Sequence, residues 1–174
     1  MLFRSSALRS TRSGRGQGGG DGLITRVERS ADAAWDGSVA RGEGTITAGA
    51  FSSLPFSLTS RIGDPGGKTN PEELLAAAHA GCYAMSLAGE LTRAGQETAR
   101  VIVTATVTLD EVEGGSHRIV ASNLYARARV QDMETAELER IARVADQGCP
   151  FSALIKASGT VTVTAELEGG ANGD

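Results

Sequence analysis

From Leu74 onward the chain reads LLAAAHAGCYAMSLAGEL, apolar or small on nearly every face. The residues before it form a helix start. Asn70 is a good N-cap, Pro71 suits the first helical position, and Glu73 is spaced to close a capping box by reaching back to the Asn70 amide. Gly95, just past Arg93, suits the left-handed position that ends a helix. A helix with no wide polar stripe is predicted to be buried and wrapped by other elements. With 174 residues, 40% of them hydrophobic, the chain is long enough to build one such core.

Around this helix the pattern changes to alternation. Residues 24–35 read loosely as a strand and 44–47 as the next, joined by the turn residues Asp36, Gly37 and Ser38. Phe56-Ser57-Leu58-Thr59 suggests a third strand before Asp64-Pro65-Gly66-Gly67 breaks the chain. Residues 101–109 and 118–130 alternate about Gly114-Gly115, as a hairpin does. Residues 135–145 predict an amphipathic helix with Leu138, Ile141, Ala142 and Ala145 on one side. Cys149-Pro150 opens a short helix through Ile155, and residues 160–167 close with a strand. Segregated runs of this kind predict an α+β domain with a largely antiparallel sheet and a long buried central helix, spanning residues 23–168.

The ends stand apart from that domain. Residues 1–22 are rich in arginine, serine and glycine, and residues 169–174 are polar and glycine-rich, so both are expected to be disordered tails. The acid-poor N-terminal composition also matches an organelle transit peptide or a start codon placed too far upstream. A formal net charge of -4 argues against a broadly basic nucleic-acid surface, and 4% aromatics against a stacking platform for single strands. No run approaches the ~18 apolar residues of a membrane helix, so a soluble, cytoplasmic protein without membrane or nucleic-acid partners is expected. Two cysteines are too few for a disulfide scaffold, and no signal-peptide core follows Met1.

Each cysteine therefore needs its own explanation. Cys82 lies 11 residues after Pro71, about three helical turns in, beyond the reach of the helix dipole. It is either a small core hydrophobe or a thiolate held by a nearby cation. Cys149 falls where one helix ends and another begins at Pro150, a break expected to present its side chain rather than bury it. There it is either an incidental cap or a thiol poised to resolve a disulfide. His79, three residues before Cys82, could act as its base, although a hydrogen-bonded core histidine suits a buried helix better. Of Cys82, His79, Cys149 and His117 only the first two have local ligand spacing and no CxxC exists, so no metal is expected. The glycines at 16–20 precede no phosphate-binding GK[ST].

The segments TNPEELLAAAHAGC and QGCPFSALIKA, with Trp35-Asp36-Gly37 followed by RGEGTI, resemble the osmotically inducible protein C / organic hydroperoxide resistance (OsmC/Ohr) family. The resemblance runs over residues 27–167 and is nearer the OsmC branch, on the AAHAGC context and the Trp35 hairpin. It implies the OsmC/Ohr-like fold, an intertwined homodimer with two sites at its interface, and a thiol-dependent peroxidase active in oxidative and osmotic stress. On this resemblance Cys82 matches the peroxide-attacking cysteine and Cys149 the resolving one. Glu72 matches the active-site glutamate and Arg61 the arginine, with Arg41 as the alternative. The implied substrates are organic and, in a wider reading, inorganic hydroperoxides. No bound cofactor is implied, only an external dithiol reductant.

The chemistry agrees with these residue types. Peroxide reduction needs a thiolate, a proton donor for the leaving oxygen, and a second thiol to trap the sulfenic acid. Arginine keeps its charge and offers a donor fork, which a glutamate can orient through a bidentate pair. Glu72 could equally be plain compensation for the helix dipole. Along a straight helix Glu72 and Cys82 stand ~15 Å apart, so Glu72 and the arginine are expected to serve the Cys82 of a partner chain. Leu54, Phe56, Leu58 and Tyr83 are candidates for a substrate pocket. The rival readings are a Cys–His hydrolase or transferase, and a non-catalytic module that binds apolar ligands.

Overall fold

A computed structural model describes residues 26–96 and 100–168. The expected tails at 1–22 and 169–174 lie outside the described residues. The chain divides at Ser30/Ala31 into two units. In the first, residues 26–30 have no regular structure, and Arg26 pairs with Glu28.

The second unit opens with a three-stranded antiparallel sheet of β1 (Ala31–Asp36), β2 (Glu43–Ala48) and β3 (Phe51–Phe56), in that order. Strand β1 is thus shorter than the loose run from residue 24, and all six of its residues are exposed. Trp35, Gly44 and Phe56 stand side by side across the three strands. A Cβ on Gly44 would fall 2.5 Å from the Phe56 ring, so only glycine lets the two aromatic rings meet over it, 5.3 Å apart between centroids.

The expected strand at 56–59 is instead the end of β3 followed by a helix, α1 (Leu58–Ile62). Ser57 caps it: its hydroxyl accepts from the Ser60 amide at 3.1 Å, and the Ser60 hydroxyl accepts from the Ser57 amide at 3.0 Å. This is a capping box with serine where glutamate or glutamine is usual, and a four-residue alternation could not reveal it. Ser60 also donates to the Thr69 carbonyl, which ties α1 to the start of the next helix.

Helix α2 (Pro71–Arg93) starts and stops where the sequence predicts. Asn70 accepts from the Glu73 amide at 2.8 Å, but the Glu73 carboxylate takes the Thr69 hydroxyl rather than the Asn70 amide. At the other end Gln96 donates to the Leu91 carbonyl and Gly95, at φ +78°, donates to that of Thr92. These two bonds make a Schellman closure. The helix is not wrapped all round by its own chain. His79, Tyr83, Leu87 and Leu91 are buried along one line, while Ala77, Ala78, Gly81 and Met85 on another face are exposed.

The second sheet runs β4-β5-β6, from the hairpin β4 (Arg100–Val112) and β5 (Ser116–Arg129) to β6 (Thr160–Leu167). Strand β6 lies parallel to β5, because α3 (Thr135–Gly148) and α4 (Pro150–Lys156) carry the chain back across one face before it re-enters. The other three strand pairs are antiparallel. The core fills the space between this sheet and α2 and α3. Tyr83, Leu87 and Leu91 meet Leu138, Ile141, Ala142 and Ala145, over Leu124, Ala126 and Ala128 of β5. Among the described residues no helix is long and apolar enough to cross a membrane.

Candidate active site

The closing of α3 and the opening of α4 bring Cys149 onto the fourth turn of α2, at Cys82. The two thiols are free, with Sγ atoms 3.4 Å apart. Cys82 is half-buried and Cys149 is 1% exposed, a member of the core. The expectation that the break at Pro150 would present Cys149 outward is corrected here. The break turns the chain toward α2, so its side chain points inward, and it makes no side-chain cap bond.

Burial pushes the Cys82 thiol above its ordinary range, and the neighbouring Cys149 adds to this. A hydrogen bond from the Phe151 backbone works in the opposite direction. Among the described residues no cation of the same chain acts on this thiol.

The cation expected from the sequence stands elsewhere. Arg61, in the last turn of α1, donates through Nε to Glu72 Oε1 and Oε2, both at 3.1 Å, and through Nη2 to Oε1 at 2.6 Å. This pair raises the Arg61 pKa further above its ordinary value. Glu72 is the second residue of α2, so the pair sits at the helix start, ~15 Å along the axis from Cys82. Arg41 lies in the turn between β1 and β2 and makes no ion pair among the described residues. One chain therefore holds a sulfur pair and a guanidinium–carboxylate pair, and does not bring them together.

Arg61 also borders an apolar pocket of about 230 Å3, with Trp35, Val39, Phe56, Ser57, Leu58 and Pro71. Of the expected lining residues, Phe56 and Leu58 are there and Leu54 is not. Tyr83 is fully buried and donates to the Ala142 carbonyl, so it belongs to the core. Trp35 was missed as a wall residue, although its being the lone tryptophan was a signal; that Gly44 stands opposite it is known only from the strand register. Val39 and Pro71 carried no such mark. On the other side of Arg61 a groove of about 780 Å3 runs between the α2 start and β4, past Glu72, Glu73 and Ala76.

His79 is 0% exposed and held at both ring nitrogens, Nδ1 to Ser122 Oγ at 2.8 Å and Nε2 to Ser152 Oγ at 2.9 Å. Burial lowers its pKa below the ordinary value, against a smaller opposing pull from Asp146. With both nitrogens engaged it is a core histidine and offers Cys82 no free base. Among the described residues no three His, Cys, Asp or Glu side chains are grouped to hold a metal.

The model of the OsmC-like protein family matches residues 63–164. Over 138 residues the chain is 34% identical to the peroxiredoxin OsmC of Escherichia coli K12, covering 78% of this chain and 94% of that one. It is 31% identical over 115 residues to the organic hydroperoxide resistance protein of Xanthomonas axonopodis pv. citri, covering 63% of this chain and 75% of that one. In fold it is similar to an organic hydroperoxide resistance protein OsmC from Legionella pneumophila, with TM-score 0.63 and 22% identity over 81% of this chain and 99% of that one.

Proposed function

This chain belongs to the OsmC-like protein family, and from that premise we propose that it is a thiol-dependent peroxidase acting on organic, and more widely inorganic, hydroperoxides. The observation that carries the proposal is the 3.4 Å separation of two free thiols brought together from positions 67 residues apart. A disulfide needs its sulfurs at about 2.05 Å, which small side-chain shifts can reach from here.

In the proposed cycle the Cys82 thiolate attacks the O–O bond of ROOH, becoming the sulfenic acid as ROH leaves with a proton. The Cys149 thiol then condenses with the sulfenic acid, forming the S–S bond and releasing water. An external dithiol returns both sulfurs to thiols, with no bound cofactor. Burial disfavours the Cys82 thiolate and, among the described residues, no cation of the same chain offsets this, so a cation supplied by a second copy would favour it. The Arg61–Glu72 pair of a second copy is the proposed source, its fork already oriented by the carboxylate and its apolar pocket fit for the organic part of a hydroperoxide. The open Ala77–Ala78–Gly81–Met85 face of α2 and the fully exposed β1 support a homodimer. The proposed location is the cytoplasm.

The test is stoichiometric. One equivalent of cumene hydroperoxide, followed by peptide mass spectrometry, is expected to give a Cys82–Cys149 link within each chain and none in Cys82→Ser. Unmodified thiols after peroxide exposure would overturn the proposal, and would fit an apolar-ligand module instead.

A further inference from the structure

Helices α2 and α4 meet in two rungs. Cys82 faces Cys149, and His79, three residues earlier on α2, faces Ser152, three residues later on α4. The second nitrogen of His79 bonds Ser122 on β5, so the imidazole is pinned between the sheet and the helix that Cys149 opens. All three side chains are fully buried. Among the described residues, His79–Ser152 is the polar side-chain tie between the two cysteine-bearing helices, apart from the sulfurs themselves. The Lys156–Asp146 pair joins α4 only to α3, across the same joint.

We propose that His79 is a positioning residue which, through Ser152, holds the start of α4 so that Cys149 stays over Cys82 and captures the sulfenic acid before a second peroxide does. The inference rests on the peroxidase reading above. Two reactions compete for Cys82–SOH. Condensation with the Cys149 thiol gives the disulfide and water, whereas a second ROOH gives the sulfinic acid and ROH. Only the first depends on where Cys149 sits. Core packing and the backbone bonds to Asp146 and Ala153 hold Cys149 to its own joint, but it lacks a side-chain cap bond, so the His79–Ser152 rung is the polar side-chain tie that sets the seven-residue α4 against α2. Misplacing a reacting group by about 1 Å costs on the order of a hundredfold in rate. Loosening the rung therefore shifts the partition toward sulfinic acid.

Full-length wild type and the variants His79→Ala, Ser152→Ala and Ser122→Ala are exposed to excess cumene hydroperoxide without reductant. Mass spectrometry then reads the ratio of sulfinic Cys82 to disulfide. The expected result is a ratio raised on the order of tenfold or more in His79→Ala and Ser152→Ala, with the Ser122→Ala ratio close to wild type. The two serine variants each remove one hydrogen bond from the same buried ring, so a merely structural role moves both alike. Equal ratios for Ser122→Ala and Ser152→Ala would overturn the inference, and the serine pair decides the matter even if His79→Ala does not fold. If wild type forms no disulfide, the peroxidase reading fails; if it does and Ser152→Ala partitions like wild type, the inference alone fails.

Discussion

A single imidazole shows how much a buried polar residue can be asked to do. A neutral histidine has one ring donor and one acceptor, and the two serine hydroxyls of Ser122 and Ser152 can serve either tautomer. A proton added to the buried ring leaves a charge in a desolvated site, and the serine hydroxyl that had donated to the ring must turn its own proton elsewhere. Asp146 is the group that favours such a charge, while Lys156 adds to the effect of burial and disfavours it. The folded-state pKa therefore lies below the unfolded value of about 6.5. Between the two values the unfolded chain binds more protons, so stability is full above pH 6.5 and declines as pH falls through that window. Thermal melts from pH 7.5 downward should show a falling Tm in wild type and a flatter profile in His79→Gln; identical profiles would contradict this. At this scale the sequence was informative. Cys82, His79 and Glu72 were visible as candidates from their places on one helix, and the bland reading of His79 is the one that holds. What spacing could not give was the neighbour. Ser122 and Ser152 lie 43 and 73 residues from His79 and carry no local mark.

Elements were legible where their ends carry their own chemistry. Asn70, Pro71 and Gly95 fix α2 by satisfying or omitting backbone groups at its termini, so its limits follow from those residues alone. The strand expected at 56–59 went astray because Ser57 and Ser60 cap α1 with a pair of hydroxyls that sequence patterns seldom weigh. The parallel course of β6 was invisible too, since alternation reports faces and not direction. Gly44 is the element-level residue most open to test. Any side chain there drives into the Phe56 ring and the Ala34 carbonyl, and the strand pairing leaves no room to move aside. Gly44→Val should cost about 1–3 kcal/mol in urea unfolding, as overpacking does, and should enlarge or disorder the pocket beside Arg61. A variant as stable as wild type would mean that the Trp35–Phe56 pair is not held as described.

At the scale of the molecule, one chain leaves open what the proposed homodimer would close. From Leu74 its central helix carries apolar or small residues on nearly every face, yet one chain fully buries only the His79–Leu91 line. Its cysteines and its oriented arginine stand at opposite ends of that helix's first three turns. The all-round apolar sequence of α2 made this legible only in part, because it says that a face will be covered and not by what. The central claim is that a working site combines the sulfurs of one chain with the Arg61–Glu72 pair of another. The most direct test is to unfold and refold together two inactive variants, Cys82→Ser and Glu72→Ala, and measure peroxide consumption with a dithiol. Each mixed dimer then contains one intact combination, Cys82 from the second chain and Glu72 from the first. Activity is expected to return on mixing, at about one working site per mixed dimer. Mixtures as inactive as the separate variants, with mixed dimers shown to have formed, would contradict the central claim.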